Sequence, residues 1–175
     1  MKTILSKKDI LEWIKQKPSL IESYINLEEQ LQPNGFDITL KEVAMIQSGG
    51  QIAVSNKNRQ ISSLSPLVFD GMDNVELAAG SYVITFNEIV NMPKNVMALG
   101  APRSSLLRCG VTVHMAVWDA GYSGRSQSLL VVYNPYPFRV QRNARIAQLV
   151  FFELAGETEG YNGAYQGENI KQYRQ

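Results

Sequence analysis

The sequence predicts a mainly β fold, a distorted β-barrel or jelly roll, with a helix at its N-terminal end and a second, short helix near residues 104–109. Runs of β-branched and aromatic residues are short: Phe36–Leu40, Ser81–Phe86, Val111–Val117 and Ser128–Tyr133. Gly, Pro and Asn separate them, the texture of a sandwich, barrel or jelly roll. In the third run Val111, Val113, Met115 and Val117 alternate with Thr112, His114 and Ala116, the period of two that puts alternate side chains on opposite faces of a strand. The 175 residues suit one domain, commonly about 100–150 residues, and neither a repeat nor a linker divides residues 1–175.

Taken in order, residues 1–32 form an N-terminal helical segment. Ser6 caps a first helix, Asp9 lies in its first turn, and Ile10, Leu11 and Ile14 share a face beside Trp13. Pro18 follows its end. A second short helical or irregular piece runs from Leu20 to Leu31 and leads to a turn at Pro33-Asn34-Gly35. The strands begin there. The polar stretch from Ser48 to Ser65 reads as a surface insertion. In residues 156–175, a flexible C-terminal arm, Gly156, Gly160, Gly163 and Gly167 are interleaved with Tyr161 and Tyr165. Such a tail buries little of itself, and is either a disordered end or an arm that orders over a ligand or a neighbouring subunit.

Composition removes several functional classes. Hydrophobic residues are 45% and charged residues 19%, with a net charge of +1, so no bulk field draws the protein to nucleic acid or to a membrane surface. Phosphate binding must come from a few placed arginines and backbone donors. The single Cys109 excludes an internal disulfide and a multi-cysteine metal cluster. No apolar stretch approaches the ~18 residues of a membrane helix, and the start lacks the apolar run of a signal peptide. A soluble, cytoplasmic protein is expected.

Two segments carry candidate chemistry. In Gly100-Ala-Pro-Arg-Ser-Ser-Leu-Leu-Arg-Cys-Gly110, Pro102 opens a short helix and Gly110 ends it. Ser104, Ser105 and their amides then lie at a helix N-terminus, where free N–H groups favour an anion. Arg103 and Arg108 flank them with forked donors suited to phosphate. Read alone, the segment is more simply a capped helix with two solvated arginines. Asp119 follows an apolar strand and precedes Gly121-Tyr122-Ser123-Gly124, which reads as a tight hairpin. A carboxylate there orients a water for attack on phosphorus, or it caps the turn, as aspartates often do. His114, the one histidine, reads as packed or interfacial, and with one cysteine it cannot build a zinc-deaminase site. Ser104 lacks the Gly-x-Ser-x-Gly elbow of a nucleophilic serine.

Together these segments resemble one family, the trimeric dUTPases and their relatives the dCTP deaminases. Residues 102–110 are similar to the family's Arg-Ser-Ser/Gly-Leu motif, 119–124 to its Asp-x-x-Tyr/Trp-x-Gly hairpin, Arg145-Ile-Ala-Gln148 to its Arg-Ile-Ala-Gln motif, and Gly35-Phe-Asp-Ile-Thr-Leu40 to its early Asp-Leu-Arg-Leu motif. They occur in the family's order. Residues 5–14, Glu88–Pro93 and Ala164-Tyr-Gln-Gly167 favour the deaminase-like branch, and the likeness spans the chain apart from residues 48–65.

One departure bears on the reaction. In the dCTP deaminases a glutamate after the hairpin shuttles protons at the cytosine amino group. The matching position here is Leu129 or Val131, and no Asp or Glu occurs from Ala120 to Phe152. Losing such a group costs about 10²–10⁴-fold, so the pattern is similar to archaeal dUTPases of the deaminase-like branch.

The resemblance implies a dUTPase-like β-clip fold and a homotrimer with dUTP between subunits, split to dUMP and pyrophosphate with Mg²⁺. It implies Asp119 as the group directing water to the α-phosphorus. Arg103, Ser104, Ser105, Arg108 and Gln148 hold the triphosphate, and Tyr122 packs on the deoxyribose. The backbone around Val117 reads the uracil edge, and Tyr161, Tyr165 and Gln166 contribute from the arm. Asp37 and Arg145 support the site. A dCTP deaminase, alone or making dUMP, is the near alternative, and a non-catalytic nucleotide-binding trimer the distant one.

Overall fold

The structure, a computed structural model, describes residues 4–170; the ends of the N-terminal segment (1–3) and of the arm (171–175) lie outside them. Helix α1 (Lys7–Ile14) starts where expected: the Ser6 side chain accepts from the Asp9 amide, and the Asp9 carboxylate accepts in return from the Ser6 amide at 3.0 Å. Ile10 and Ile14 are buried and Leu11 and Trp13 pack beside them. The piece from Leu20 to Leu31 is broken rather than one helix. It holds β1 (Ile21–Glu22) and the single turn α2 (Leu27–Gln30), capped by Asn26.

Strand β2 (Leu31–Gln32) turns through Pro33 and Asn34 into β3 (Gly35–Ile46), with Gln32 paired to Gly35, the two-residue connection expected of a hairpin. Then follow β4 (Leu64–Pro66), β5 (Asn74–Leu77), β6 (Gly80–Phe86), β7 (Ile89–Asn91), β8 (Val96–Pro102), α3 (Ser104–Arg108), β9 (Val111–His114), β10 (Ser123–Gly124), β11 (Gln127–Val132), β12 (Phe138–Gln141) and β13 (Arg145–Glu153).

The main sheet runs β8-β13-β3-β6-β11-β9, and β2 and β4 also pair with β3, making eight strands. Its edge strands β8 and β9 are joined by α3, and Trp118 exchanges backbone hydrogen bonds of 3.0 and 2.9 Å with Ala98 across the gap. The sheet is thereby a nearly closed barrel. Phe36, Phe86, Phe151, Ile84 and Leu130 fill its core, each such side chain adding about 1.5–3 kcal/mol by leaving water.

This closure explains a shorter third strand than the alternation predicts. β9 ends at His114, and residues 115–117 leave the ladder so that Trp118 can reach β8. Met115 fills the space above Gly100, where any side chain on that glycine would strike its sulfur. His114 is exposed on the edge strand rather than packed. Pro102 is the last residue of β8, and Arg103 is the N-cap of α3. Gly110, with φ +70°, ends that helix as expected.

Along β3 the alternation separates two environments. Phe36, Ile38 and Leu40 face the core, while Asp37 and Thr39 are buried on the other side. There Glu88 is a hub. Its carboxylate accepts from the Thr39 amide (2.9 Å), the Thr39 hydroxyl (2.6 Å) and the Gln30 amide group (2.7 Å). Gln30 in turn donates to Asp37 O and accepts from the amides of Ile25 and Asn26. Burial pushes the Glu88 carboxyl up, and these donors oppose it.

Candidate active site

Asp119 sits at the first position of a turn whose carbonyl accepts from the Tyr122 amide at 3.1 Å. Gly121 takes φ +84°, a conformation cheap only for glycine. The expected tight turn is present, but not a tight two-stranded hairpin. Trp118 before it pairs with β8, whereas Ser123 and Gly124 after it form β10 and pair with Asn91 and Val90 of β7. The turn is therefore a corner between sheets, and Asp119 is presented at their junction. Its side chain does not cap the turn. Among the described residues the exposed Asp119 carboxylate makes neither a hydrogen bond nor an ion pair.

A cavity of about 420 Å³ opens beside it, within the range that holds small ligands. Trp118, Tyr122, Tyr161, Tyr165 and Val117 form apolar walls, and Asp119, Ser126, Gln127 and Glu168 bring polar groups. The Trp118 indole N–H donates to Ser126 Oγ at 3.1 Å. A shallower depression, with Thr158, Glu159 and Gly160 in its walls, lies against the other side of Asp119.

Residues 156–170 lie over this turn without regular secondary structure. The Tyr161 amide donates to Ala120 O and the Gly167 amide to Ser123 O, both at 2.7 Å; the Arg125 amide donates to Glu168 O at 2.9 Å. Gln166 clamps the pair from both ends, accepting from the Ser123 amide and donating to Gly121 O, each at 3.0 Å. Close approach requires glycine at 121: a Cβ there would stand 2.7 Å from Gly160 Cα. The Tyr122 and Tyr161 rings meet edge to face at 5.7 Å, a favoured aromatic geometry.

The arm also brings an acid that the reading of β11 did not contain. Glu168 Oε1 accepts from the Tyr122 hydroxyl at 2.8 Å. Burial raises the Glu168 carboxyl above its usual range, opposed by that hydrogen bond. The Tyr122 phenol is raised by burial and by the neighbouring Glu168. Gly124 makes room for the pair, since a Cβ there would lie 2.4 Å from the Tyr122 oxygen. On β11 the positions expected for a proton-shuttling acid are the partly buried Leu129 and Val131.

The other predicted residues form a separate group. Arg103 Nε lies 3.3 Å and Arg145 Nη1 3.5 Å from Asp37 Oδ2, beyond the usual 2.7–2.9 Å of a charge-assisted hydrogen bond. That oxygen has no hydrogen-bond partner. Burial raises the Asp37 carboxyl, and the two guanidiniums oppose it, Arg103 more strongly. Ser104, Ser105 and Arg108 are exposed on α3, whose N-terminus has no side-chain cap, and Gln148 pairs with Asp37 and Ala101 from β13. None of these lines the 420 Å³ cavity of its own chain. The structure thus joins Asp119, Val117, Tyr122, Tyr161 and Tyr165 in one cavity, and uses Gln166 to tie the arm down. Ile61, Ser126, Gln127 and Glu168 are cavity residues that no motif pointed to.

A family model described as dCTP deaminase-like matches residues 4–154. The chain belongs to the dCTP deaminase-like family. Its relatives within that family include the probable deoxyuridine 5'-triphosphate nucleotidohydrolase of Methanosarcina acetivorans, 48% identical over 97% of this chain and 99% of the relative. The deoxyuridine 5'-triphosphate nucleotidohydrolase of Methanocaldococcus jannaschii is 36% identical over 80% of this chain and 89% of its own. Among solved structures, the 2'-deoxycytidine 5'-triphosphate deaminase from Agrobacterium tumefaciens superposes with a TM-score of 0.65 at 21% identity. That match covers 87% of this chain and 48% of the deaminase, so this chain spans about half its length. The dCTP deaminase-like barrel is the expected fold.

Proposed function

We infer that this chain hydrolyses dUTP to dUMP and pyrophosphate. The observation that carries the reading is the Asp119 carboxylate, exposed on a fixed corner beside an apolar cavity and engaged by no described residue. Its lone pairs are open to a water. Near-full-length relatives named deoxyuridine 5'-triphosphate nucleotidohydrolase support the substrate.

In this reading the base and deoxyribose enter the cavity. Tyr122 lies under the sugar and leaves no room for a 2′-hydroxyl, Tyr161 and Tyr165 cover it, and the backbone around Val117 meets the uracil edge. Asp119 accepts a hydrogen bond from a water and takes its proton as the oxygen attacks the α-phosphorus in line. The bond to the bridging oxygen breaks and pyrophosphate leaves. Such transfer depends on positioning and charge stabilisation more than on covalent chemistry by the protein. Arg103, Ser104, Ser105, Arg108 and Gln148 form the triphosphate-binding half, supplied to the cavity of a neighbouring copy in a homotrimer.

Among the described residues no three carboxylate, histidine or cysteine side chains converge as a metal cage. The ion implied by this reading is Mg²⁺, which retains waters and is held largely by substrate phosphates. The phosphates and waters would hold the ion, which would supply charge neutralisation along the phosphates. We assign the enzyme to the cytoplasm, where the exposed, unpaired Cys109 stays reduced.

Asp119→Asn tests the mechanism: the variant binds dUTP, and pyrophosphate release falls by about 10²–10⁴-fold. Normal turnover by that variant would overturn the role of Asp119. A second reading, deamination of dCTP, draws on the family description and on the Glu168 carboxyl in the cavity. Incubation with dCTP is expected to yield no ammonia, and release at the rate of dUTP hydrolysis would establish the deaminase instead.

A further inference from the structure

The stretch between β3 and β4 lies outside every motif of the family, yet it reaches the cavity. Its two sides are laced together. Gln51 and Gln60 exchange backbone hydrogen bonds of 2.8 and 2.9 Å, the Gln47 amide donates to Ser63 O at 2.9 Å, and the Ser63 amide to Ser48 Oγ at 2.9 Å. Ser55 caps a short 3₁₀ turn, Asn56–Asn58, and the chain leaves it extended at Arg59. Two side chains of this braced loop then meet the site. Ile61 lines the cavity. The Arg59 guanidinium stands over the Tyr165 ring, 5.3 Å from its centre, within the range of a cation–π contact. Among the described residues Arg59 has no carboxylate partner.

We propose that the 47–63 loop is a working wall of the nucleotide site and that Arg59 is a positioning residue, holding the arm over the cavity through Tyr165. Three features support this. Tyr165 is 42% exposed, so the outer face of its ring depends on Arg59 for cover. The arm's hydrogen bonds go to Lys94 and to the corner at Ala120, Gly121, Tyr122, Ser123 and Arg125; Arg59 holds it from a separate element, the 47–63 loop. Ile61 is two residues along the same extended segment, so seating Arg59 on the arm also seats an apolar wall against whatever fills the cavity. Arginine suits the role because a planar guanidinium stacks on a ring, which an ammonium does not.

The proposal rests on the nucleotide reading above for its ligand, but its first test needs no nucleotide. In the wild-type protein the amides of Tyr161 and Gly167 are hydrogen-bonded to the corner, so their hydrogen exchange reports whether the arm is docked. Arg59→Ala is expected to speed exchange at both amides by about two- to fivefold, the scale of an exposed cation–π contact, with amides of β13 unaffected. Kinetics with dUTP should show the same loss as a rise of about two- to fivefold in KM rather than a fall in kcat. Arg59→Lys should recover part of it. Ile61→Ser should raise KM without altering arm exchange, which separates the wall from the tether. Unchanged exchange at Tyr161 and Gly167 in Arg59→Ala overturns the proposal, as does a kcat effect with KM constant. Failure of the wild-type protein to turn over dUTP would overturn the functional reading and leave the exchange result standing.

Discussion

Around Asp37 the chain gathers its cations on strands; around Asp119 it gathers a cavity from a corner, a loop and an arm. Asp37 is buried in β3 with guanidiniums from the N-cap of α3 (Arg103) and the start of β13 (Arg145) nearby, and those arginines keep about a third of their side-chain surface exposed (33% and 31%). Asp119 is exposed and unengaged among the described residues. The difference follows from what each carboxylate must do. Two guanidiniums side by side repel one another, and the buried counter-charge at 3.3–3.5 Å holds Arg103 and Arg145 together, with Arg145 also donating to Glu29 O. In the proposed mechanism Asp119 directs water, which it can do only while no protein donor occupies it.

Removing the two carboxylates separates these roles most sharply. Asp119→Ala should leave the thermal midpoint within the scatter of surface substitutions, about ±0.5 kcal/mol, while turnover falls by about 10²–10⁴-fold. Asp37→Ala should do the reverse first, losing about 1–3 kcal/mol as Arg103 and Arg145 lose a buried partner, read as a lower melting temperature. An unfolded Asp119→Ala protein would dissolve the distinction. Next in size is Gly121→Ala. It places a Cβ against Gly160 and strains φ +84°, about 1–2 kcal/mol, so KM should rise about tenfold with β-barrel exchange unchanged.

A pH series sharpens the comparison further. The Glu168 carboxyl is raised by burial in the docked arm, so docking favours its protonated form. Docking is then strongest below the ordinary carboxylate range and weakens as pH rises through the raised value. KM for dUTP should climb across that window, and Glu168→Gln should flatten the climb. The smallest effect belongs to Tyr122→Phe, which deletes the hydroxyl donated to Glu168. A rise in KM of at most about fivefold is expected from one partly exposed hydrogen bond.

Local features were the legible ones. The Ser6–Asp9 cap, the Pro33-Asn34 turn, the β-strand texture and the Gly110 stop each depend on a few consecutive residues, and the structure contains all of them. Asp119, Val117, Tyr122, Tyr161 and Tyr165, each in or beside a short sequence feature, share one cavity. What escaped were contacts between distant segments. β9 ends early because Trp118 must close a barrel against Ala98, and nothing in the alternation from Val111 to Val117 encodes that bridge. The polar stretch after β3 read as surface because Arg59 and Ile61 acquire meaning only beside Tyr165 and Trp118. Glu168 is not legible for a related reason: β11 carries Leu129 and Val131 where the family's acid would lie, and the acid reaches the cavity from an arm without regular structure.

The arm's docking has one more consequence. Its hydrogen bonds to Ala120, Gly121, Ser123 and Arg125 all return to the chain that carries it. One copy of the chain can thus hold residues 156–170 over its own corner. If each copy closes its own cavity in this way, dUTP saturation should follow a simple hyperbola with a Hill coefficient of about one.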